Sequence, residues 1–424
     1  MKKTDKRYQD CIKILEEELL PAMGCTEPIA LAYAGAMARK ALGELPDKVM
    51  IEASGNIIKN VKSVIVPNTD GLRGIPAAAA AGIVAGDPDL QLEVIANVTP
   101  QQQEAIHAFL NEAEFSVSAA DTPYVFDIIL TVYKGESWAK VRICQYHTNI
   151  VLIEKDGAVL ESKELVEESE DLTDRSFLNV ELILDFARSV DIEDIRAVID
   201  RQIKYNMAIA EEGLNNDYGA NVGSTLKKNN EDCVKTMAKS WAAAGSDARM
   251  SGCELPVIIN SGSGNQGITA SVPVIIYARH LGVEKEELYR ALVLSNLIAI
   301  HQKTGIGRLS AYCGAVNAGA AAGCGIAYLL DGSYEAIIHT LVNALAVVSG
   351  MICDGAKASC AAKIATAVES GIFGYELYCN GQQFCGGDGI VKSGVEESIS
   401  SVGVLGRDGM RETDKVILEI MTGD

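Results

Sequence analysis

The sequence has no stretch that reads as a membrane span, no secretory leader and no surplus of positive charge, and each lack removes a class of protein. A spanning helix needs about 20 consecutive apolar residues. The richest run here, Ala311 to Leu330, is heavy in Gly and Ala and is broken by Asn317. The opening "MKKTDKRYQD" is basic but has no apolar core behind it, so a cytoplasmic location is expected. Net charge is −20, which argues against nucleic acid or an anionic membrane as the main partner. An anionic substrate must therefore meet a local positive site. Internal repeats and low-complexity tails are lacking as well.

What is present is an apolar excess, 48% of 424 residues, best placed in helices buried on all sides. There are also eleven cysteines, six of them from Cys313 onward. Without an export signal these are expected to be reduced thiols, catalytic groups or metal ligands. A chain of this length has room for two domains with substantial cores.

Residues 7–20 read as an amphipathic helix, and Thr26-Glu27-Pro28 opens a second one through Leu42, with Thr26 as its N-cap. Short apolar runs and helices then alternate. "VMIEAS", "VKSVIVP" and "LEVIANV" read as strands, and "IPAAAAAGIVAG" and "PQQQEAIHAFLNEA" as helices. From Ser116 to Glu154 the pattern is that of a β-meander. The charged passage 161–174 marks a boundary, beyond which nearly everything reads helical. The expected fold class is α+β: a mixed α/β domain over residues 1–160 carrying Cys25, then a large, mostly helical domain over 161–424.

Residues 262–267, "GSGNQG", match G-x-G-x-x-G after a strand-like run. A dinucleotide site needs a βαβ unit around that motif, and a second helix follows instead. No Lys-Ser/Thr follows the glycines, so a phosphate-binding loop of the Walker type is excluded too. Small residues at a helix start still expose backbone N–H groups that favour an anion such as a carboxylate. Ser261, Ser263 and Asn265 add side-chain donors there.

"PAMGCTEP" places Cys25 at a helix start, where unpaired N–H groups and the dipole favour a thiolate. Glu27 opposes that unless its carboxylate turns back onto the cap. Cys353 and Cys360 stand seven apart. In unbroken helix their Cα atoms would lie roughly 10 Å apart, too far for a disulfide, which needs about 4.4–6.8 Å. A metal or cluster would fill the gap, and Asp354-Gly355 lets the backbone bend around it.

Taken together, "PAMGCTEPIALA", "HTNIV", "SDARM", "NSGSGNQGI", "GRLSAYCGA" and "VSGMICDGAKASCAAK" resemble the motifs of the L-cysteine desulfidase family. That family is similar to the α chain of iron–sulfur-dependent L-serine dehydratases. The resemblance runs from Cys25 to "IVKSGVEESI" and implies a [4Fe–4S] cluster whose ligands fall on Cys313, Cys353 and Cys360. It places the family's special thiol on Cys25, as a base or a labile fourth ligand. The dehydratases carry a cysteine at the extreme C-terminus and an "SSSHT" stretch. This sequence ends "IMTGD" and lacks "SSSHT", and both departures favour cysteine over serine as substrate. The pattern assigns no role to Cys324, Cys379 or Cys385.

The implied reaction is β-elimination on L-cysteine giving sulfide, ammonia and pyruvate without pyridoxal phosphate, with L-serine dehydration as the rival. Cys25 would take the α-proton as a thiolate. The glycine loop and the pair Asp247–Arg249 are the candidates for the substrate's carboxylate and ammonium, and His147 and Asn149 would reach the cleft from the N-terminal domain. The expected partner is a small amino acid, and a homodimer is left open. From another class, the thiols would only staple the helical domain around a closed cluster or zinc ion.

Overall fold

Glycine and alanine decide how closely the elements of this chain approach. The computed structural model describes residues 1–165, 172–229, 232–307 and 309–422. Helix α1 (Lys6–Glu18), strand β1 (Pro21–Met23), helix α2 (Thr26–Leu42) and strand β2 (Lys48–Ala53) come first. Helices α3 (Gly55–Val61), α4 (Gly74–Ala85) and α5 (Pro100–Glu112) follow. Strands β3 (Glu114–Ala119), β4 (Asp127–Lys134), β5 (Ser137–Cys144), β6 (Ile150–Lys155) and β7 (Ala158–Ser162) then complete a six-stranded sheet. Its order is β3-β2-β4-β5-β6-β7, with β2 and β3 parallel and every other pair antiparallel. Helix α2 lies on β4 and β5, and α4 lies on α2. The alanine run explains that second contact. A Cβ at Gly82 would stand 1.8 Å from the Ala32 carbonyl oxygen, so only small residues fit between the helices.

Beyond the sheet come α6 (Val180–Ser189), α7 (Ile192–Asn215), α8 (Val222–Asn229), α9 (Val234–Met250) and strand β8 (Pro256–Ile258). After them come α10 (Gly264–Leu281), α11 (Lys285–Ile306), α12 (Gly314–Leu330) and α13 (Tyr334–Val348). The last are α14 (Cys360–Cys379), α15 (Val395–Val404) and α16 (Arg411–Thr422). The expected α+β class, sheet first and helices after, is what the chain adopts. Helix α12 is enclosed by α10, α11, α13 and α14, and this buried helix absorbs much of the apolar excess. Among the described residues no helix is long and apolar enough to cross a membrane.

One helix pair positions the site. A Cβ at Gly319 would meet Ala367, and one at Gly323 would meet Gly371, each within 2.8 Å. The contacts advance by four residues on both helices, so α12 and α14 run parallel with their N-termini at the same end. Cys313 and Cys360 sit at those two N-termini.

Several local expectations are corrected. Residues 61–67 form no strand: α3 ends at Val61, and the Val66 amide closes a turn onto the Leu72 carbonyl at 2.9 Å. Residues 92–98 form a short 3₁₀ turn and bends, with the Ile95 carbonyl satisfied by the Asn68 amide at 2.7 Å. Both runs are buried without a strand to pair with, a case where apolar content alone misleads. The N-cap of α2 is Cys25, and Thr26 is its first helical residue. Strands β1 and β8, three residues each, pair antiparallel across the two halves of the sequence. Part of the expected boundary, residues 166–171, lies outside the described residues. Helix α1 packs against α7 and α11, and α16 returns to pack on α3.

Candidate active site

The β1–β8 pair brings two helix starts side by side. Strand β1 delivers Cys25 to the start of α2, and β8 delivers the turn Asn260–Ser263 to the start of α10. That turn needs left-handed backbone at Ser261 (φ 51°) and Gly262 (φ 79°). The Thr26 hydroxyl donates to the Gly262 carbonyl at 3.0 Å, which ties the two starts together.

Opposite them, a short antiparallel bridge joins Tyr312 and Ile352. The Cys313 amide donates to the Met351 carbonyl at 3.0 Å, and the Cys353 amide to the Ala311 carbonyl at 2.6 Å. This bridge sets Cys313 beside Cys353. The chain then turns at Gly355 (φ 91°), where a Cβ would stand 2.4 Å from the Lys59 carbonyl oxygen, and enters α14 at Cys360. Asp354 is paired with both Lys357 and Lys363. Although burial pushes its carboxyl up, the two lysines win and hold it at about 2. The loop between Cys353 and Cys360 is thus pinned at both ends.

Cys25, Cys313, Cys353 and Cys360 all line one cavity of about 720 Å³, its mouth included. Four helix N-termini meet there, those of α2, α10, α12 and α14. Each brings unpaired N–H groups and roughly half a positive charge. Arg249 lines the same cavity, 2% exposed, with Nε and Nη2 lacking hydrogen-bond partners. Its guanidinium lies so close over Gly264 that a Cβ there would be 2.3 Å from Nε. This is the local positive site that a chain of net charge −20 requires for an anion.

Burial and Glu27 both oppose the thiolate expected of Cys25 at a helix start. Its Sγ donates to Glu27 Oε2 at 3.1 Å. Burial, and then the Glu27 charge, push the thiol well above its ordinary value, against the opposing pull of Arg249. Burial would raise Glu27 too, but His147, the Cys25 thiol and Arg249 together hold its carboxyl below the usual range. Its other oxygen accepts from Asn60 Nδ2 at 3.0 Å. The Cys313 thiol is pushed up to about 12, by burial first and by Cys353 next. Cys313 is buried, and Cys353 and Cys360 are half-buried beside it. The charge of Cys353 opposes ionisation of the other two, and such a group of thiols suits a cationic occupant.

The remaining expected residues divide. Ser263 and Asn265 line the cavity, and Asn265 Oδ1 is buried without a partner. Ser261 does not line it: its hydroxyl donates to Asn260 Oδ1 at 2.9 Å, and it faces a separate crevice beside Lys303. Asp247 and Arg249 form no ion pair. Asp247 accepts from the Gly223 amide at 2.9 Å at the start of α8, and burial pushes its carboxyl up to about 6. Asn149 stays within its own loop, donating to the Cys144 carbonyl at 3.0 Å. His147 stands behind Glu27, edge-on to Phe126 at 4.7 Å, and does not line the cavity. Glu27, Asn60 and Gln266 were not legible as site residues. Glu27 opposes a thiolate in the local pattern, Gln266 lies inside the glycine motif without a role of its own there, and Asn60 carries no motif.

A family model described as the serine dehydratase alpha chain matches residues 89–419. A UPF0597 protein of Desulfitobacterium hafniense is 58% identical over 99% of this chain and 98% of its own length. UPF0597 proteins of Lachnoclostridium phytofermentans (52% identical; 98% of this chain and 99% of theirs) and Treponema denticola (48%; 99% and 99%) are similar over the same span.

Proposed function

The chain belongs to the serine dehydratase alpha chain family, and from that premise we propose that it is a lyase that eliminates the β-substituent of a small L-amino acid without pyridoxal phosphate. L-Cysteine is the substrate in this reading, giving sulfide, ammonia and pyruvate. L-Serine is the second reading, favoured by the description of the matching family. One observation carries the proposal: four cysteines, a buried arginine whose Nε and Nη2 lack partners, and four helix N-termini converge on one cavity.

Cys313, Cys353 and Cys360 would hold a [4Fe–4S] cluster. In support, the three thiols line one cavity. When bound, such a cluster would supply Lewis acidity toward the substrate's oxygen or sulfur. The protein's own groups do the rest. Arg249 and the first amides of α10 receive the carboxylate. The side-chain amide oxygens of Asn265 and Gln266, both buried and unpartnered, would accept from the ammonium. Cys25 and Glu27 handle protons at Cα and Cβ.

The test is an anaerobic preparation assayed for iron, acid-labile sulfide and pyruvate formation from L-cysteine and L-serine. About one cluster per chain is expected, with no need for pyridoxal phosphate. Replacing Cys313, Cys353 or Cys360 with Ala should abolish the cluster. Iron that survives one of these changes removes that residue from the ligand set, and a colourless zinc-loaded protein would support the scaffold alternative instead.

A further inference from the structure

Buried polar atoms in folded proteins nearly always have hydrogen-bond partners, so a cluster of them without any points to a ligand. Among the described residues that line the cavity, five side-chain atoms are in that state: Nε and Nη2 of Arg249, Oδ1 of Asn60, Oδ1 of Asn265 and Oε1 of Gln266. Two are donors and three are acceptors. Nε and Nη2 lie on one edge of the guanidinium, the fork that meets both oxygens of a carboxylate. A primary ammonium presents three N–H donors, and the three amide oxygens match it in number.

The three amides are joined through the frame of the site. Asn60, on α3, donates from Nδ2 to Glu27 Oε1 at 3.0 Å, at the start of α2. The Thr26–Gly262 hydrogen bond ties that start to the start of α10, whose first turn carries Asn265 and Gln266. The nitrogen of Asn60 is engaged by Glu27 and that of Asn265 by Met250 Sδ at 3.6 Å, so both side chains turn their oxygens elsewhere. Gln266 lies across the start of α12, where a Cβ at Gly314 would stand 2.5 Å from its Cδ. Glu27 has less to offer an ammonium. Its Oε1 already accepts from Asn60, and its Oε2 lies 3.1 Å from Cys25 Sγ and 3.2 Å from Thr26 Oγ1.

We propose that Asn60 completes, with Asn265 and Gln266, a three-acceptor seat for a primary α-ammonium. The site then takes free α-amino acids and rejects their N-alkyl, N-acyl and 2-hydroxy counterparts. The inference rests on the amino-acid lyase reading above and adds Asn60 to it as a determinant of specificity. An N-methyl group removes one N–H and leaves one acceptor buried without a partner. A hydroxyl in place of the ammonium leaves two. Discrimination against such analogues is strong because the site's own polar groups are left unpaired.

L-Alanine has no leaving group at Cβ and binds without reacting. It is titrated by calorimetry, beside N-methyl-L-alanine and L-lactate, into full-length, cluster-loaded protein under anaerobic conditions at matched iron content. Wild type should bind N-methyl-L-alanine about 10–100-fold more weakly than L-alanine, and L-lactate at least about 100-fold more weakly. In Asn60→Ala one acceptor is gone and the methyl group has room, so L-alanine weakens while the preference over N-methyl-L-alanine falls to within about threefold. Asn60→Ser, too short to reach the ammonium but able to donate to Glu27, should lose the preference in the same way and serves if the alanine variant does not fold. A substitution that only loosened the cavity would weaken both ligands alike and keep their ratio. Wild type that binds N-methyl-L-alanine or L-lactate as well as L-alanine, or Asn60 variants that keep the wild-type ratio, overturn the proposal. Wild type that shows the expected preference yet eliminates from neither L-cysteine nor L-serine supports the ammonium seat and overturns the elimination reading, so the two failures are distinct.

Discussion

Replacing Gly264 with Ala tests whether Arg249 receives the substrate. The new Cβ would lie 2.3 Å from Arg249 Nε, 2.7 Å from Cζ and 2.6 Å from Val257 Cγ2. The guanidinium must retreat by about 1 Å, into the cavity it lines, to reach ordinary contact, and Val257 must give way as well. Overpacking of this kind costs about 1–3 kcal/mol of stability. Gly264 is helical, so no backbone strain is added. The effect on catalysis should be larger than the effect on folding, because a displacement of about 1 Å in a positioning group can lower rates on the order of 10²-fold. The assay is kcat and KM on the better of L-cysteine and L-serine, at iron content equal to wild type, beside a urea unfolding curve. The expected result is a fall in kcat/KM of about two orders of magnitude with a modest shift in midpoint. A variant with its cluster and wild-type kcat/KM would refute the placement of the carboxylate on Arg249.

Two further predictions concern the frame of the site. Gly355→Ala forces a side chain onto left-handed backbone and sets its Cβ 2.4 Å from the Lys59 carbonyl oxygen. The loop between Cys353 and Cys360 should lose its shape, so iron content after anaerobic reconstitution should drop sharply, and full loading would contradict this account of the turn. Asp247 has a carboxyl raised to about 6 in the fold against 3.8 as its ordinary value. The folded chain therefore binds the extra proton between those values, and the contribution of Asp247 to stability is present at low pH and declines as pH rises through about 6. Asp247→Asn should remove a decline on the order of 1–3 kcal/mol between pH 4 and 7, read as the difference between urea midpoints of variant and wild type. Parallel curves for the two proteins would show that Asp247 titrates normally.

The local setting of the four cavity cysteines was legible, because each stands in a context that makes a helix start or a bend. Cys25 precedes Thr-Glu-Pro, Cys313 precedes a Gly/Ala helix, and Asp354-Gly355 breaks the chain between Cys353 and Cys360. The substrate side was less legible. Arg249 and Asp247 lie two apart at the end of one helix and invite pairing on paper, yet they face different neighbours: Asp247 the start of α8, and Arg249 the start of α10. The buried runs 61–67 and 92–98 carry strand-like composition but no partner, and composition does not report partners. Glu27 was visible beside Cys25 as a charge opposing a thiolate. That its carboxylate also accepts from Asn60 is something no local pattern announces.

The sequence by itself determined the α+β class, the absence of a membrane-spanning helix among the described residues, and the small-residue runs that let α2 meet α4 and α12 meet α14. These follow from periodicity and side-chain volume, which are local quantities. Only the tertiary structure decided that four helix starts share one cavity. Thr26 and Gly262 are 236 residues apart, and their contact depends on two three-residue strands too short to announce themselves. The parallel run of α12 and α14 depends on which faces their glycines turn toward each other. Charge in the cavity is likewise a sum over distant helix dipoles and one buried guanidinium, and a field of that kind exists only once the chain has closed around it.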